Sequence, residues 1–298
     1  MALAQGRTKR VRENLEGYLY ISPWLIGLIL FQVGPMILSL IISLYDWDYF
    51  RSPNFVGMSN YIGLFKDDLF WLALRNTATY VAGRLLLVTT VSLFVAILLN
   101  QPIPLRNFLR TAYYLPSVTP SIAMLMLWIM LFDPQWGLIN AGLAGIGVSP
   151  GPGWLSSKQW AMPAMILIGI WGIGGTMVIF LAGLQGVPKS LYEAAELDGA
   201  NALRKMMHIT LPLISPVIFF NVIMGVIRAF QVFASAFVMT DGGPAYATFV
   251  YVLYLYNQAF LYFRMGVGCA MAWILLLILL VFTYIMFKRS TWVYYEAG

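Results

Sequence analysis

Charge is scarce in this sequence: 10% of its 298 residues are Asp, Glu, Lys or Arg, against roughly 25% in an ordinary soluble domain. Water is therefore not its main solvent. Cysteine and histidine occur once each, as Cys269 and His208, which excludes a disulfide framework and a zinc site built from those residue types. No metal site is expected. The two also fall in different kinds of segment, His208 in a polar connection and Cys269 in an apolar run, so they cannot form one catalytic constellation. Both are read as structural. No lysine follows a glycine, so a Gly-Lys-Ser/Thr phosphate loop is missing and any ATP hydrolysis must occur in another chain. The chain itself is not expected to be an enzyme or to hold a cofactor. Although Lys and Arg outnumber Asp and Glu by 18 to 12, no basic run is interleaved with aromatics, which argues against nucleic acid as a partner.

What the sequence has in abundance is apolar length. Hydrophobic residues make up 60% of the chain and its mean hydropathy is +0.78. A helix crosses the hydrocarbon layer in about 20 apolar residues, and uncharged or nearly uncharged stretches place spans over roughly 18–45, 78–100, 111–132, 160–184, 211–235 and 265–288. These runs are continuous, where a barrel strand would alternate over about ten residues. The expected fold is an all-α integral membrane bundle of six helices in a single domain, 1–298. The first run is too long for a secretory signal core, which is about 7 to 15 residues, and reads as a retained helix. With a cytoplasmic N-terminus, eleven Lys and Arg collect on the inner side (Arg7, Lys9, Arg10, Arg12, Arg106, Arg110, Lys189, Arg204, Lys205, Lys288 and Arg289) and five on the outer (Arg51, Lys66, Arg75, Lys158 and Arg264). The positive-inside rule then puts both termini in the cytoplasm.

One inner connection, residues 187–212, does not read as a simple loop. Ser190 with Glu193 has the spacing of a capping box, Leu191, Ala194 and Ala195 fall on one helical face, and Gly199 is a natural stop in the left-handed conformation. Beyond it, Leu203, Met206 and Met207 repeat the spacing of a second apolar face, and Pro212 stands where the chain re-enters the membrane. Two short helices are expected. By physical chemistry alone they fit equally well a pair lying on the bilayer surface and a knob seated in a partner's groove.

The order Glu193-Ala194-Ala195, three residues, Gly199, nine residues, Ile209, one residue, Leu211-Pro212 resembles, position for position, the cytoplasmic signature of the permease subunits of binding-protein-dependent ABC importers. A multi-element pattern at fixed spacing is far more specific than an isolated short motif. Trp128 to Asn140 and Met239 to Pro244 look like the matching stretches of carbohydrate-importer permeases, in the branch containing the first permease of maltose-type importers. The resemblance implies a permease fold with cytoplasmic coupling helices, paired with a second homologous permease in the lipid bilayer. It also implies two copies of an ATPase subunit beneath the pair and an extracytoplasmic solute-binding protein. ATP would be bound by the ATPase partner. Glu193, Ala194, Ala195, Gly199, Ile209, Leu211 and Pro212 would then transmit the ATPase's closure to the membrane helices, and the cargo would be an oligosaccharide, a monosaccharide or a glycerol-phosphate compound.

An ion-gradient-driven secondary transporter is the competing reading. Such proteins favour acidic groups within the membrane, and the six spans hold no Asp or Glu core residue. For the solute path, Arg228 is an arginine inside a span, where charge normally faces a cavity or a partner. Asn221, Arg228 and Gln231 share a helical face, which fits either a path or helix-to-helix hydrogen bonds. Arg84 is the runner-up for the path, read first as snorkelling to the outer interface. Gly169, Gly172, Gly174 and Gly175 surround Trp171; they suit close helix packing or space beside an indole on which a sugar stacks. The candidate solute-path set is Trp171, Gly172, Gly175, Arg228 and Gln231.

Overall fold

Long apolar stretches become helices, and prolines and glycines decide where those helices break. A computed structural model describes residues 16–293 of the chain; the basic cluster Arg7, Lys9, Arg10 and Arg12 lies outside the described residues. The chain divides into two units, one made of residues up to Lys66 with Asn257–Ile274, the other of Asp67–Tyr256 with the residues from Leu275 onward.

In the first unit, α1 (Glu16–Ile42) is long and apolar enough to span a membrane, and none of it is buried within the chain. Its apolar surface is left for lipid or a partner. Pro35 lacks a backbone donor, and just before it the helix widens into a π turn over Ile29–Val33. A two-residue strand pair, β1 (Tyr45–Asp46) with β2 (Asn54–Phe55), is antiparallel and leads to α2 (Ser59–Phe65). Asn60 on α2 holds this turn by donating to the carbonyls of Ser43 (2.8 Å) and Tyr45 (2.9 Å). Gly266 lies so close to the Tyr45 carbonyl that a Cβ there would overlap it.

The second unit is organised around α3 (Asp68–Asn100). Asp67 starts it as N-cap, accepting from the Leu69 amide at 2.9 Å, and the same carboxylate accepts from the Tyr254 hydroxyl. The helix begins well before residue 78, where the span was placed, because a cap defines a helix start that hydropathy does not register.

Three further stretches are bent pairs of helices. Over 111–132 the chain forms α4 (Arg106–Val118) and α5 (Ser121–Leu131), bent by 100°. Pro120 has no N–H and drives Thr119 out of the helical region, to ψ 140°. Between them and the next pair lies α6 (Leu138–Gly145), held by Asn140, which donates to the carbonyls of Pro134 (3.2 Å) and Pro152 (3.1 Å) and accepts from Trp154 Nε1 (2.8 Å). The pair α7 (Ala161–Ile170) and α8 (Gly174–Gln185) bends by 46°. After the short α9 (Lys189–Leu197), α10 (Ala202–Leu213) and α11 (Ser215–Phe230) bend by 65°. The helix that was placed over 211–235 stops at Phe230, and α12 (Ala234–Met239) resumes beyond a gap. A short helix, α13 (Tyr251–Tyr256), follows, and α14 is Met265–Lys288.

Within this unit α3 packs most extensively on α8 and α11, then on α7 and α13. Val95, Ala96 and Leu99 of α3 meet Met177, Phe180, Leu181 and Leu184 of α8 and Ile214 in one buried cluster. Small residues set the approach: a Cβ on Gly225 would stand 2.9 Å from Leu85, and one on Gly183 2.8 Å from Val217.

Candidate functional site

The helix breaks converge on one cavity of about 770 Å³, within the roughly 300 to 1,000 Å³ of pockets that enclose a drug-sized ligand. It is lined by the α4–α5 break (Ser117, Thr119, Ser121), by the α7–α8 break (Trp171, Gly172) and by the α11–α12 gap (Gln231, Val232, Phe233). Non-helical backbone at membrane depth is tolerated only where it is buried in protein or lines a water-filled cavity. Polar side chains from the breaks accordingly face this space. All five candidate solute-path residues, Trp171, Gly172, Gly175, Arg228 and Gln231, contribute to its wall. Trp171 is 43% exposed and stands edge-on to Trp128 with ring centroids 5.8 Å apart.

The glycines around Trp171 divide into two kinds. Gly174 is a packing residue, since a Cβ there would collide with the backbone of Tyr113 and Tyr114. Gly169 is also crowded, by Arg84 Nη1 and Val88 at 3.0 Å each. Gly175 has nothing within 4 Å of its would-be Cβ, and Gly172 only the Gly169 carbonyl at 4.0 Å. Those two leave open volume beside the indole.

Arg84, expected to reach the outer interface, borders the cavity. It lies in the middle of α3, half-buried, against the cavity, and its Nη1 donates to the Tyr80 hydroxyl at 3.1 Å. The helix itself starts at Asp68, about four turns before the arginine. Tyr80, one helical turn from Arg84, is the residue that sequence reasoning missed. The signal available in the sequence was their spacing of four, which puts both on one helical face. The stripe Asn221, Arg228, Gln231 also resolves. Asn221 lines a smaller recess of about 80 Å³, Gln231 lines the main cavity, and Arg228 borders both, as does Arg84.

The second candidate region is the pair α9 and α10. The expected capping box is not formed: Pro188, in extended conformation, is the N-cap of α9 and has no side chain to donate or accept, so Ser190 falls inside the first turn. Gly199 ends the helix at φ +74°, with the Ala200 amide reaching the Ala195 carbonyl (2.8 Å) and the Gly199 amide the Glu196 carbonyl (3.0 Å). That is a Schellman closure. Asn201 then caps α10 by accepting from the Arg204 amide at 2.8 Å. Lys205 Nζ meets Glu196 Oε1 at 2.6 Å, and the Tyr192 and Thr210 hydroxyls are 2.9 Å apart, so the two helices form one unit.

Of the candidate coupling residues, Glu193, Ala194 and Gly199 are exposed, Ala195 half-buried. Ile209 and Leu211 pack, with Tyr192, against the buried α3–α8 cluster. Pro212 follows a π turn at Met206–Thr210, the local widening expected where a proline withholds its hydrogen bond. One end of the pair is thus free and the other anchored in the core, while Leu197 and Leu203 stand 90% and 68% exposed.

The site thus consists of a cavity at helix breaks and an exposed helix pair rooted in the core beside it. The chain belongs to the family described as binding-protein-dependent transport system inner membrane component, which residues 88–290 match; it is an integral inner-membrane protein. It is 40% identical to the probable ABC transporter permease protein YesP of Bacillus subtilis, over 99% of this chain and 97% of that one. The arabinooligosaccharides transport system permease protein AraP of the same organism is 34% identical, covering 92% and 88%. The trehalose/maltose transport system permease protein MalF of Thermococcus litoralis is 32% identical, covering 94% and 95%. Among solved structures, the fold matches a chain of a bacterial ABC transporter that imports the acidic polysaccharide alginate, with TM-score 0.83 at 24% identity over 95% of this chain and 97% of that one.

Proposed function

We propose that this chain is one half of the membrane pore of an ATP-driven carbohydrate importer, paired with a second permease, two ATPase subunits and an extracytoplasmic binding protein. The observation that carries the reading is the joint presence of a cavity built at three helix breaks and a capped, exposed helix pair anchored to the helices beside it. Relatives named for arabinooligosaccharide and trehalose/maltose transport support a sugar as cargo. Trp171 offers an aromatic face for a sugar ring, with Gly172 and Gly175 leaving room and Gln231 supplying a neutral polar edge.

In the mechanism, the exposed surface of Glu193 to Gly199 docks on an ATPase subunit. Closure of the ATPase dimer pushes α9 and α10 as a body, because the Schellman turn, the Lys205–Glu196 pair and the Tyr192–Thr210 bond hold them together. Ile209 and Leu211 pass the displacement to α3 and α8, whose walls line the cavity. Alternating access follows. The α9–α10 pair and both termini face the cytoplasm, in line with the excess of Lys and Arg on that side. The test is uptake of labelled oligosaccharide into vesicles carrying the assembled complex: it should require ATP on the ATPase side and the binding protein on the other, and proceed with no ion gradient.

A further inference from the structure

We infer that the solute carries negative charge: a carbohydrate bearing carboxylate or phosphate groups, held in the cavity by Arg84 and Arg228. This rests on the importer reading above and specifies its cargo. Both guanidinium groups line the main cavity and also the recess beside it, so they stand at the junction of the two. No Asp or Glu lines either space. Among the described residues, ion pairs form elsewhere, at Arg51–Asp48 and Lys205–Glu196, and the one hydrogen-bond partner of Arg84 is the neutral Tyr80 hydroxyl at 3.1 Å. Arg84 is half-buried and Arg228 exposed where they border the cavity, and the planar fork of arginine matches carboxylate and phosphate oxygens in bidentate fashion.

Gly169 shows that the position of Arg84 is shaped by the surrounding chain, because any larger residue there would press on its Nη1 at 3.0 Å. Around the arginines, Trp171 and the hydroxyls of Ser117, Thr119 and Ser121 suit the uncharged parts of a sugar. The cavity therefore combines stacking and hydroxyl recognition with two fixed positive charges.

The experiment uses the complete complex, reconstituted with its cognate binding protein, and paired solute pools. One pair is uronate-bearing oligosaccharides and the same pool after carboxyl reduction, which keeps ring and linkage but removes charge; the other is sugar phosphates and their dephosphorylated twins. Uptake from a charged member should exceed that from its neutral twin by about tenfold or more, and Arg228→Gln and Arg84→Gln should each pull this ratio toward one. The responding pair tells carboxylate from phosphate. Equal uptake of charged and neutral twins by the native complex overturns the inference and leaves the importer reading intact; so does an unchanged ratio in both variants. If a variant fails to assemble, Arg228→Lys and Arg84→Lys, which keep the charge but lose the planar fork, replace it and should also lower the ratio. Uptake of no carbohydrate from any pool contradicts the importer reading on which the inference rests.

Discussion

Single residues at the cavity differ in what a substitution would disturb. Gly169→Val places atoms against Arg84 Nη1 and Val88, and shifting the guanidinium off the Tyr80 hydroxyl forfeits a hydrogen bond worth about 1 kcal/mol, roughly fivefold in binding. Uptake should fall by about that factor while the purified complex keeps its yield, as measured by initial rates in vesicles. Gly175→Ala puts its Cβ into open space, so its thermal midpoint should be unchanged within the roughly 0.5 kcal/mol scatter of neutral substitutions. Trp171→Ala removes an edge-on aromatic contact worth about 0.5–1.5 kcal/mol beyond its area. It should lower uptake more than it lowers stability, because the indole is 43% exposed. A drop in melting temperature with normal uptake would make Trp171 a packing residue only.

At the scale of elements, the lever formed by α9 and α10 depends on its caps. Gly199 has φ +74° and nothing within 4 Å of its would-be Cβ, so Gly199→Ala introduces no clash and only the left-handed strain of about 1–2 kcal/mol. Hydrolysis should continue while sugar moved per ATP falls, read as the ratio of uptake to phosphate release; an unchanged ratio would count against the lever. Tyr192→Phe removes the hydroxyl that meets Thr210 at 2.9 Å, a loss of about 0.5–1.5 kcal/mol, and should weaken coupling in the same direction. These elements were also where the sequence was most and least legible. Gly199 as a stop and Pro212 as a re-entry point could be read locally, because left-handed turns and proline leave local marks, whereas Ile209 and Leu211 were marked only by the family resemblance. The breaks at Thr119-Pro120, around Trp171 and after Phe230 were hidden, because a bent pair of helices has the same hydropathy as one straight span. Their consequence was hidden with them: Thr119 and Ser121 face the cavity only because the helices bend. Ser190 misled in the opposite way, since its spacing to Glu193 was right but Pro188 had already taken the cap position.

For the whole molecule, the account makes this chain a passive half of a machine. It has an unburied first helix suited to lipid or a partner, a cavity that opens where helices break, and no phosphate loop of its own. Under the proposed function its work comes from another subunit through α9 and α10. The most direct measurement is solute uptake by vesicles holding this chain alone or in the full assembly, with ATP or an ion gradient as the sole energy source. The account predicts uptake only from the full assembly with ATP and binding protein. Accumulation by the isolated chain on an ion gradient would contradict it.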